Sequence, residues 1–132
     1  MNTQAFTSPR PRPLVLIVED DELLRALMVE VVTDADLRVE AVSTADAGLL
    51  AFEACPHIGL LLTDVRTPGV LNGWDLAKTV CDRNPDVPVI ITSGYCFEAS
   101  SDLPRSASFI SKPWSLDQLC DLVKARIQGT PQ

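Results

Sequence analysis

The chain has 132 residues, a length that predicts one ordinary domain. Its 18 acidic residues against 11 basic ones give a formal net charge of -7, which disfavours direct binding to nucleic acid or to anionic membranes. The four cysteines lie far apart and there is one histidine, so a structural zinc site is not expected. No apolar run approaches the roughly 20 residues that span a bilayer. The composition therefore predicts a globular protein of the cytoplasm, with its thiols reduced.

Strands and helices alternate along the chain after a polar, proline-rich leader, which is expected to be disordered. Short apolar or alternating runs predict strands at residues 14–18, 38–42, 58–62, 87–92 and 107–111. Helical spacing and capping residues predict helices over residues 22–32, from a cap at Ser43 or Thr44 to Pro56, over 72–83, and from a capping box at 115–118 to Ile127. Asp20 or Asp21 is expected to cap the first helix. The second helix carries Ala47, Leu50 and Ala51 on one side.

Five strands alternating with helices predict a doubly wound α/β fold, with a five-stranded parallel sheet covered on both faces. Functional sites in such sheets lie at the carboxyl ends of the strands, where the loops gather. The residues at those ends are Glu19, Asp20 and Asp21 after the first strand, Asp64 after the third, Ser93 after the fourth and Lys112 after the fifth. This edge is therefore the predicted functional site.

The acidic residues at this edge indicate a divalent cation. Asp20 and Asp64 brought together without compensation would raise the pKa of at least one of them, through like-charge repulsion and burial. A set of hard oxygen ligands without histidine or thiolate favours Mg²⁺, which readily shares its shell with a phosphate. For Asp21, capping of the first helix is the favoured interpretation.

Lys112 is the one cation among the residues at the predicted strand ends. Pro113 follows it and restricts its backbone to extended geometry, which holds the lysine in a fixed place. A phosphoryl group on Asp64 would meet Mg²⁺ on one side and Lys112 on the other, while the Ser93 hydroxyl donates a hydrogen bond. The residues thus predict phosphoryl transfer to a carboxylate.

Four motifs in this order resemble the receiver domain of response regulators in two-component signalling. They are the runs 14–21 (LVLIVEDD), 60–65 (LLLTDV) with Pro68-Gly69 and Asn72-Gly73 after it, 88–94 (PVIITSG) and 109–113 (FISKP). The resemblance extends from about Leu14 to Ile127. It implies a (βα)5 flavodoxin-like fold, with a leader at residues 1–13, a receiver domain at 14–128 and a short tail at 129–132.

The resemblance also implies a role for each motif residue. Asp64 would be the phosphoacceptor, with Lys112 and Ser93 completing the reactive site. The metal would be held by Glu19, Asp20, Asp64 and the backbone carbonyl of Arg66. Ser93, rather than Thr92, would be the switch hydroxyl, and Phe109 would be the switch aromatic residue, with simple core packing as its alternative interpretation.

Two segments depart from the family pattern. The loop between Asp64 and Gly73 is one residue longer than the commonest form. The segment between Ser93 and Lys112 is a few residues short, and Ser100, Ser101 and Pro104 interrupt its helical pattern. A shortened or irregular helix is expected there, between the fourth and fifth strands.

The resemblance implies a histidine kinase or a histidine phosphotransfer protein as phosphodonor, and a downstream protein as target. A stand-alone receiver is the first interpretation, and a receiver fragment of a hybrid kinase is an alternative. An interaction module independent of phosphorylation is a second alternative. A hydrolase with an aspartyl-phosphate intermediate is a third, but it would ordinarily need an acid where this chain has Arg66.

Overall fold

The computed structural model describes residues 12–66, 68–93 and 107–128. Five strands and four helices lie within these ranges. In chain order they are β1 (Leu14–Val18), α1 (Glu22–Asp34), β2 (Arg38–Val42), α2 (Ala45–Ala54), β3 (Leu60–Asp64), α3 (Gly73–Arg83), β4 (Val89–Ser93), β5 (Ala107–Ser111) and α4 (Leu116–Gln128). The shortened helix predicted between the fourth and fifth strands lies outside the described residues, as does most of the leader.

The five strands form one parallel sheet in the order β2-β1-β3-β4-β5. This arrangement confirms the predicted doubly wound α/β fold. Helices α2 and α3 cover one face of the sheet, where Phe52 and Leu76 are completely buried. Helices α1 and α4 cover the other face through Met28, Leu119 and Val123. With helices on both faces, functional sites are expected at the carboxyl ends of the strands, where the loops gather.

Capping residues explain where the helices begin. Asp21 caps α1 by accepting a hydrogen bond from Leu24 N–H at 3.0 Å, and Thr44 caps α2 by accepting one from Ala47 N–H at 3.0 Å. The capping box predicted at 115–118 is confirmed by two hydrogen bonds between its first and last residues. The structure therefore selects Asp21 over Asp20 for the first cap and Thr44 over Ser43 for the second. No helix in the described ranges is long and apolar enough to cross a bilayer.

The buried side of α2 agrees only in part with the apolar side predicted for it, because Ala51 packs against the core and Leu50 does not. Leu50 is 69% exposed, while Ala45, Gly48 and Phe52 are buried. A β-carbon at Gly48 would lie only 2.9 Å from side-chain atoms of Leu76 and Val18, so the glycine lets α2 approach the sheet and α3 closely. This close contact, rather than the hydrophobicity of Leu50, sets the rotation of the helix.

The third and fourth strands begin and end later than the apolar runs predicted. The ladder between β1 and β3 starts at Val15 opposite Leu60, and the ladder between β3 and β4 ends at Asp64 opposite Thr92. Pairing with the neighbouring strands, which a single run of residues does not reveal, decides these bounds. The shift makes Asp64 the last residue of β3 and Ser93 the last residue of β4.

Gly73 fixes the start of α3 against the end of β3. Its N–H donates to the carbonyl of Val65 at 2.8 Å, and a β-carbon there would overlap the backbone carbonyl of Asp64. Asn72 and Asp75 form a reciprocal capping box around the same turn. The loop after Asp64 is therefore closed at its base.

Gly73→Ala is expected to lower the free energy of unfolding by about 1–3 kcal/mol, because the new methyl group meets backbone rather than a movable side chain. Urea denaturation measures the change. Lys78→Ala, at an exposed position of the same helix, is the control and should change stability by less than about 0.5 kcal/mol. Equal stability of the glycine variant and the wild type would contradict the close approach.

Candidate functional site

The carboxyl ends of β1, β3 and β5 bring four charged residues together. The carboxylate oxygens of Glu19, Asp20 and Asp64 lie within 4.8 Å of one another. Lys112, which follows β5, reaches the same place, although β5 and β1 lie on opposite sides of β3 in the sheet. Glu19 and Asp64 are buried, while Asp20 is exposed. The cluster is therefore open to solvent on the side of Asp20.

Lys112 links two of the three carboxylates. Its Nζ lies 3.1 Å from Asp64 Oδ2 and 3.2 Å from Glu19 Oε1. Burial by itself lowers the pKa of Lys112, but the hydrogen bond to Asp64 and the charges of Glu19 and Asp64 outweigh it, and the pKa is raised. Lys112 is therefore charged at neutral pH and holds Asp64 Oδ2 in place.

The environment of Glu19 opposes its ionisation. Burial raises the pKa of the Glu19 carboxyl above its usual value, and the negative charge of Asp64 adds to this effect. The hydrogen bond from Asp21 N–H, at 3.1 Å from Oε2, and the charge of Lys112 only partly offset it. Arg25 donates from Nη1 to the backbone carbonyl of Glu19 at 2.9 Å and so fixes the start of the acidic turn. A further positive charge at the site would therefore stabilise the ionised form of Glu19.

The donor set fits a hard divalent cation. Three carboxylates converge, and Lys112 compensates only part of their charge. Oxygen ligands with no sulfur or imidazole among them match the preference of Mg²⁺. Glu19, Asp20 and Asp64 are therefore the residues that could hold such an ion.

The structure places Arg66 and Ser93 beside Asp64. The backbone N–H of Arg66 donates to Asp64 Oδ1 at 3.4 Å, so the chain turns back over the carboxylate directly after β3. Ser93 is buried at the end of β4, and its carbonyl accepts from Lys112 N–H at 2.7 Å. Asp64 lies opposite Thr92 in the ladder, which puts Ser93 one residue further towards the carboxyl edge of the sheet.

Phe109 contacts a tryptophan that sequence reasoning did not assign to the site. The rings of Phe109 and Trp74 meet edge to face, with centroids 5.7 Å apart and an interplanar angle of 89°. Phe109 lies on β5 opposite Ile91, and Trp74 lies in the first turn of α3, directly after the loop that follows Asp64. No local sequence signal links two residues 35 positions apart, so only the fold reveals this pair.

The comparisons with known proteins agree with this geometry. The family model described as the response regulator receiver domain matches residues 15–124. Among curated proteins, the chain is 30% identical over 115 residues to the response regulator receiver protein CpdR of Brucella abortus, covering 83% of this chain and 92% of CpdR. It is 31% identical over 118 residues to the sensor kinase CckA of the same organism, covering 86% of this chain but only 12% of the kinase.

A solved structure gives the same result for the fold. The response regulator receiver domain protein (CheY-like) of Methanospirillum hungatei superimposes with a TM-score of 0.77 at 24% identity, covering 90% of this chain and 96% of that one. The match of the family model to most of the chain, together with the relative of similar length, decides the assignment. The chain belongs to the response regulator receiver domain family, whose members are phosphoacceptors in two-component signalling.

Proposed function

We propose that Asp64 receives a phosphoryl group from a phosphohistidine and that Lys112 and Ser93 hold this group in place. The observation that carries the proposal is the contact of Lys112 Nζ with Asp64 Oδ2 at 3.1 Å, next to Glu19 and Asp20 at the same edge of the sheet. A lysine that already contacts the phosphoacceptor carboxylate is positioned to neutralise the oxygens of a phosphoryl group added there.

In the proposed reaction, a carboxylate oxygen of Asp64 attacks the phosphorus of the donor. The new bond joins this oxygen to phosphorus, the bond from phosphorus to the donor imidazole nitrogen breaks, and that nitrogen keeps the electron pair. Lys112 offsets the added charge, and the Ser93 hydroxyl donates to a phosphoryl oxygen. Glu19, Asp20, Asp64 and the Arg66 carbonyl would hold Mg²⁺, which when bound supplies charge neutralisation at the phosphoryl oxygens. The protein would catalyse only its own phosphorylation and dephosphorylation.

The proposed donor is a histidine kinase or a histidine phosphotransfer protein. The chain resembles the sensor kinase CckA as well as the single receiver CpdR, which supports a kinase-linked role without choosing between relay and effector. A downstream protein is the proposed target. The net charge of -7 supports a protein rather than nucleic acid or a membrane as the partner. The predicted cytoplasmic location remains a prediction.

The proposed signal is a change of packing at Ser93 and Phe109. A phosphoryl group on Asp64 would draw the Ser93 hydroxyl towards it, and Phe109 would move into the space that Ser93 leaves. Because Trp74 packs edge to face on Phe109, the movement would be transmitted to the start of α3. Phe109 has no hydroxyl, so this change of position requires no new hydrogen-bond partner.

Phosphorylation by a small-molecule donor tests the proposed function. The protein is incubated with acetyl phosphate, with and without Mg²⁺, and the mass of the intact protein is measured. Incorporation of one phosphoryl group that requires Mg²⁺ and is removed by hydroxylamine, as expected for an acyl phosphate, would support the proposal. No incorporation from acetyl phosphate or from any phosphorylated histidine kinase would favour the interaction module instead.

Glu19→Gln is expected to stabilise the metal-free protein at neutral pH and to weaken Mg²⁺ binding by about 10- to 100-fold. The raised pKa of Glu19 means that its ionised form is less favourable in the folded protein than in the unfolded chain. The stability that protonated Glu19 contributes is present below its usual value of 4.5 and is lost as the pH rises through the raised pKa. The glutamine variant has no such loss.

Thermal unfolding in EDTA across the acidic and neutral pH range, together with Mg²⁺ titration, measures both effects. Glu30→Gln removes a carboxylate from an exposed position of α1 and serves as the control. A glutamine variant of Glu19 that is less stable than the wild type at neutral pH would contradict the assigned cost of ionisation.

A further inference from the structure

The loop after the phosphoacceptor strand is held by a carboxylate from another helix. Asp46 lies in the first turn of α2, and its Oδ2 accepts a hydrogen bond from Val70 N–H at 3.0 Å. Its Oδ1 accepts a second one from Leu71 N–H at 2.9 Å. Both oxygens of one side chain are thus bonded to consecutive backbone amides, and we name this contact the Asp46 clamp.

Gly69 makes the close approach of the loop to Asp46 possible. Its φ of +114° lies in a region that residues with a β-carbon rarely adopt. A β-carbon at this position would also overlap Asp46 Oδ2. The backbone therefore turns at Gly69 so that the next two amides can reach the carboxylate.

Asp46 is not needed to cap its own helix. Thr44 is the N-cap of α2, and its hydroxyl accepts from Ala47 N–H at 3.0 Å. The negative charge of Asp46 in the first turn suits the helix dipole, but both carboxylate oxygens point to the loop. Charge-assisted hydrogen bonds of this kind are stronger than neutral ones. These two hydrogen bonds therefore stabilise the loop rather than the helix.

This loop connects directly to the reactive carboxylate. At its start, Arg66 N–H donates to Asp64 Oδ1, and at its end Gly73 N–H donates to the Val65 carbonyl. The clamp attaches Val70 and Leu71, which lie between these two bonds along the chain, to α2. Loosening those two residues would let the backbone at Arg66 shift and would weaken its hydrogen bond to Asp64 Oδ1.

We propose that Asp46 is a positioning residue for the phosphorylation site, acting through the loop that carries Arg66. This inference rests on the proposed function for the Mg²⁺ site and for the reactivity of Asp64. The effect on loop order follows from the clamp itself.

The test compares Asp46→Ala and Asp46→Asn with the wild-type protein. Amide hydrogen exchange of Val70 and Leu71 is measured by NMR without metal, Mg²⁺ affinity is measured by titration, and the rate with acetyl phosphate is measured as a function of Mg²⁺. Asp46→Ala is expected to speed exchange at both amides and to weaken Mg²⁺ binding about tenfold. Asp46→Asn keeps one acceptor oxygen and should fall between the other two. At saturating Mg²⁺ the phosphorylation rate should recover in part.

Thr44→Ala is the matched control, because it destabilises the start of the same helix by about 1 kcal/mol without touching the loop. It should lower the unfolding midpoint but leave the Val70 and Leu71 exchange and the Mg²⁺ affinity unchanged. Unchanged exchange in Asp46→Ala would overturn the clamp. Faster exchange with wild-type Mg²⁺ affinity would overturn its coupling to the site. If the wild-type protein is not phosphorylated at all, the proposed function fails, while amide exchange still decides whether Asp46 orders the loop.

Discussion

Asp64→Asn is expected to reduce phosphorylation by acetyl phosphate with Mg²⁺ to background. The amide cannot act as the attacking oxygen nucleophile, and it removes one of the negative charges that would hold the metal. The substitution keeps the size of the side chain and leaves an oxygen that can accept from Lys112 Nζ, so the fold should persist. Intact-mass spectrometry measures the incorporation, and circular dichroism checks the fold.

Asp86→Asn provides the matched control for this experiment. Asp86 is an exposed aspartate in the turn before β4, and its variant should be phosphorylated like the wild type. Incorporation at the wild-type level in Asp64→Asn would show that another residue accepts the phosphoryl group, and the assignment of Asp64 would be wrong. Loss of incorporation in both variants would point to a nonspecific effect of removing a carboxylate.

Lys112→Ala is expected to slow phosphorylation about a hundredfold while leaving it measurable. In this variant, phosphorylation should no longer cause the conformational change. The variant removes the cation that contacts both Glu19 and Asp64, so the charge of the phosphoryl group is less well compensated. It also removes the side chain that ties the end of β5, three residues after Phe109, to Glu19 and Asp64. Phosphorylation should then fail to reposition the Phe109 and Trp74 rings.

Amide chemical shifts measured with and without beryllofluoride, a phosphoryl analogue, report the conformational change. In the wild type, shifts are expected near Ser93, Phe109 and the start of α3. In Lys112→Ala they should stay close to Asp64. Lys124→Ala, at an exposed position of α4, is the control and should show the full pattern. The same full pattern in Lys112→Ala would contradict a coupling role for this lysine.

The pattern of the sequence was sufficient for the sheet and for the position of the site. Buried runs separated by capped helices predict parallel strands, and the charged residues after three of these runs must then meet at one edge. The choice between neighbouring caps, as for Ser43 and Thr44, required the backbone geometry. For α2, the predicted apolar side was wrong at Leu50, because the close approach at Gly48 rather than the number of apolar residues decides which side is buried.

By itself, the sequence indicated the parallel sheet, the family resemblance and the candidate residues Glu19, Asp20, Asp64, Ser93 and Lys112. The order of short local patterns along the chain was enough for the first two, and the pattern of each strand and its loop was enough for the residues. The tertiary structure decided which atoms meet. Lys112 lies 93 residues from Glu19 and 48 from Asp64, yet contacts both. The bonds of Asp46 to a loop 24 residues away and the contact of Trp74 with Phe109 have the same origin. Such contacts depend on strand order, register and helix rotation, which come from the packing of the whole chain and not from any local segment.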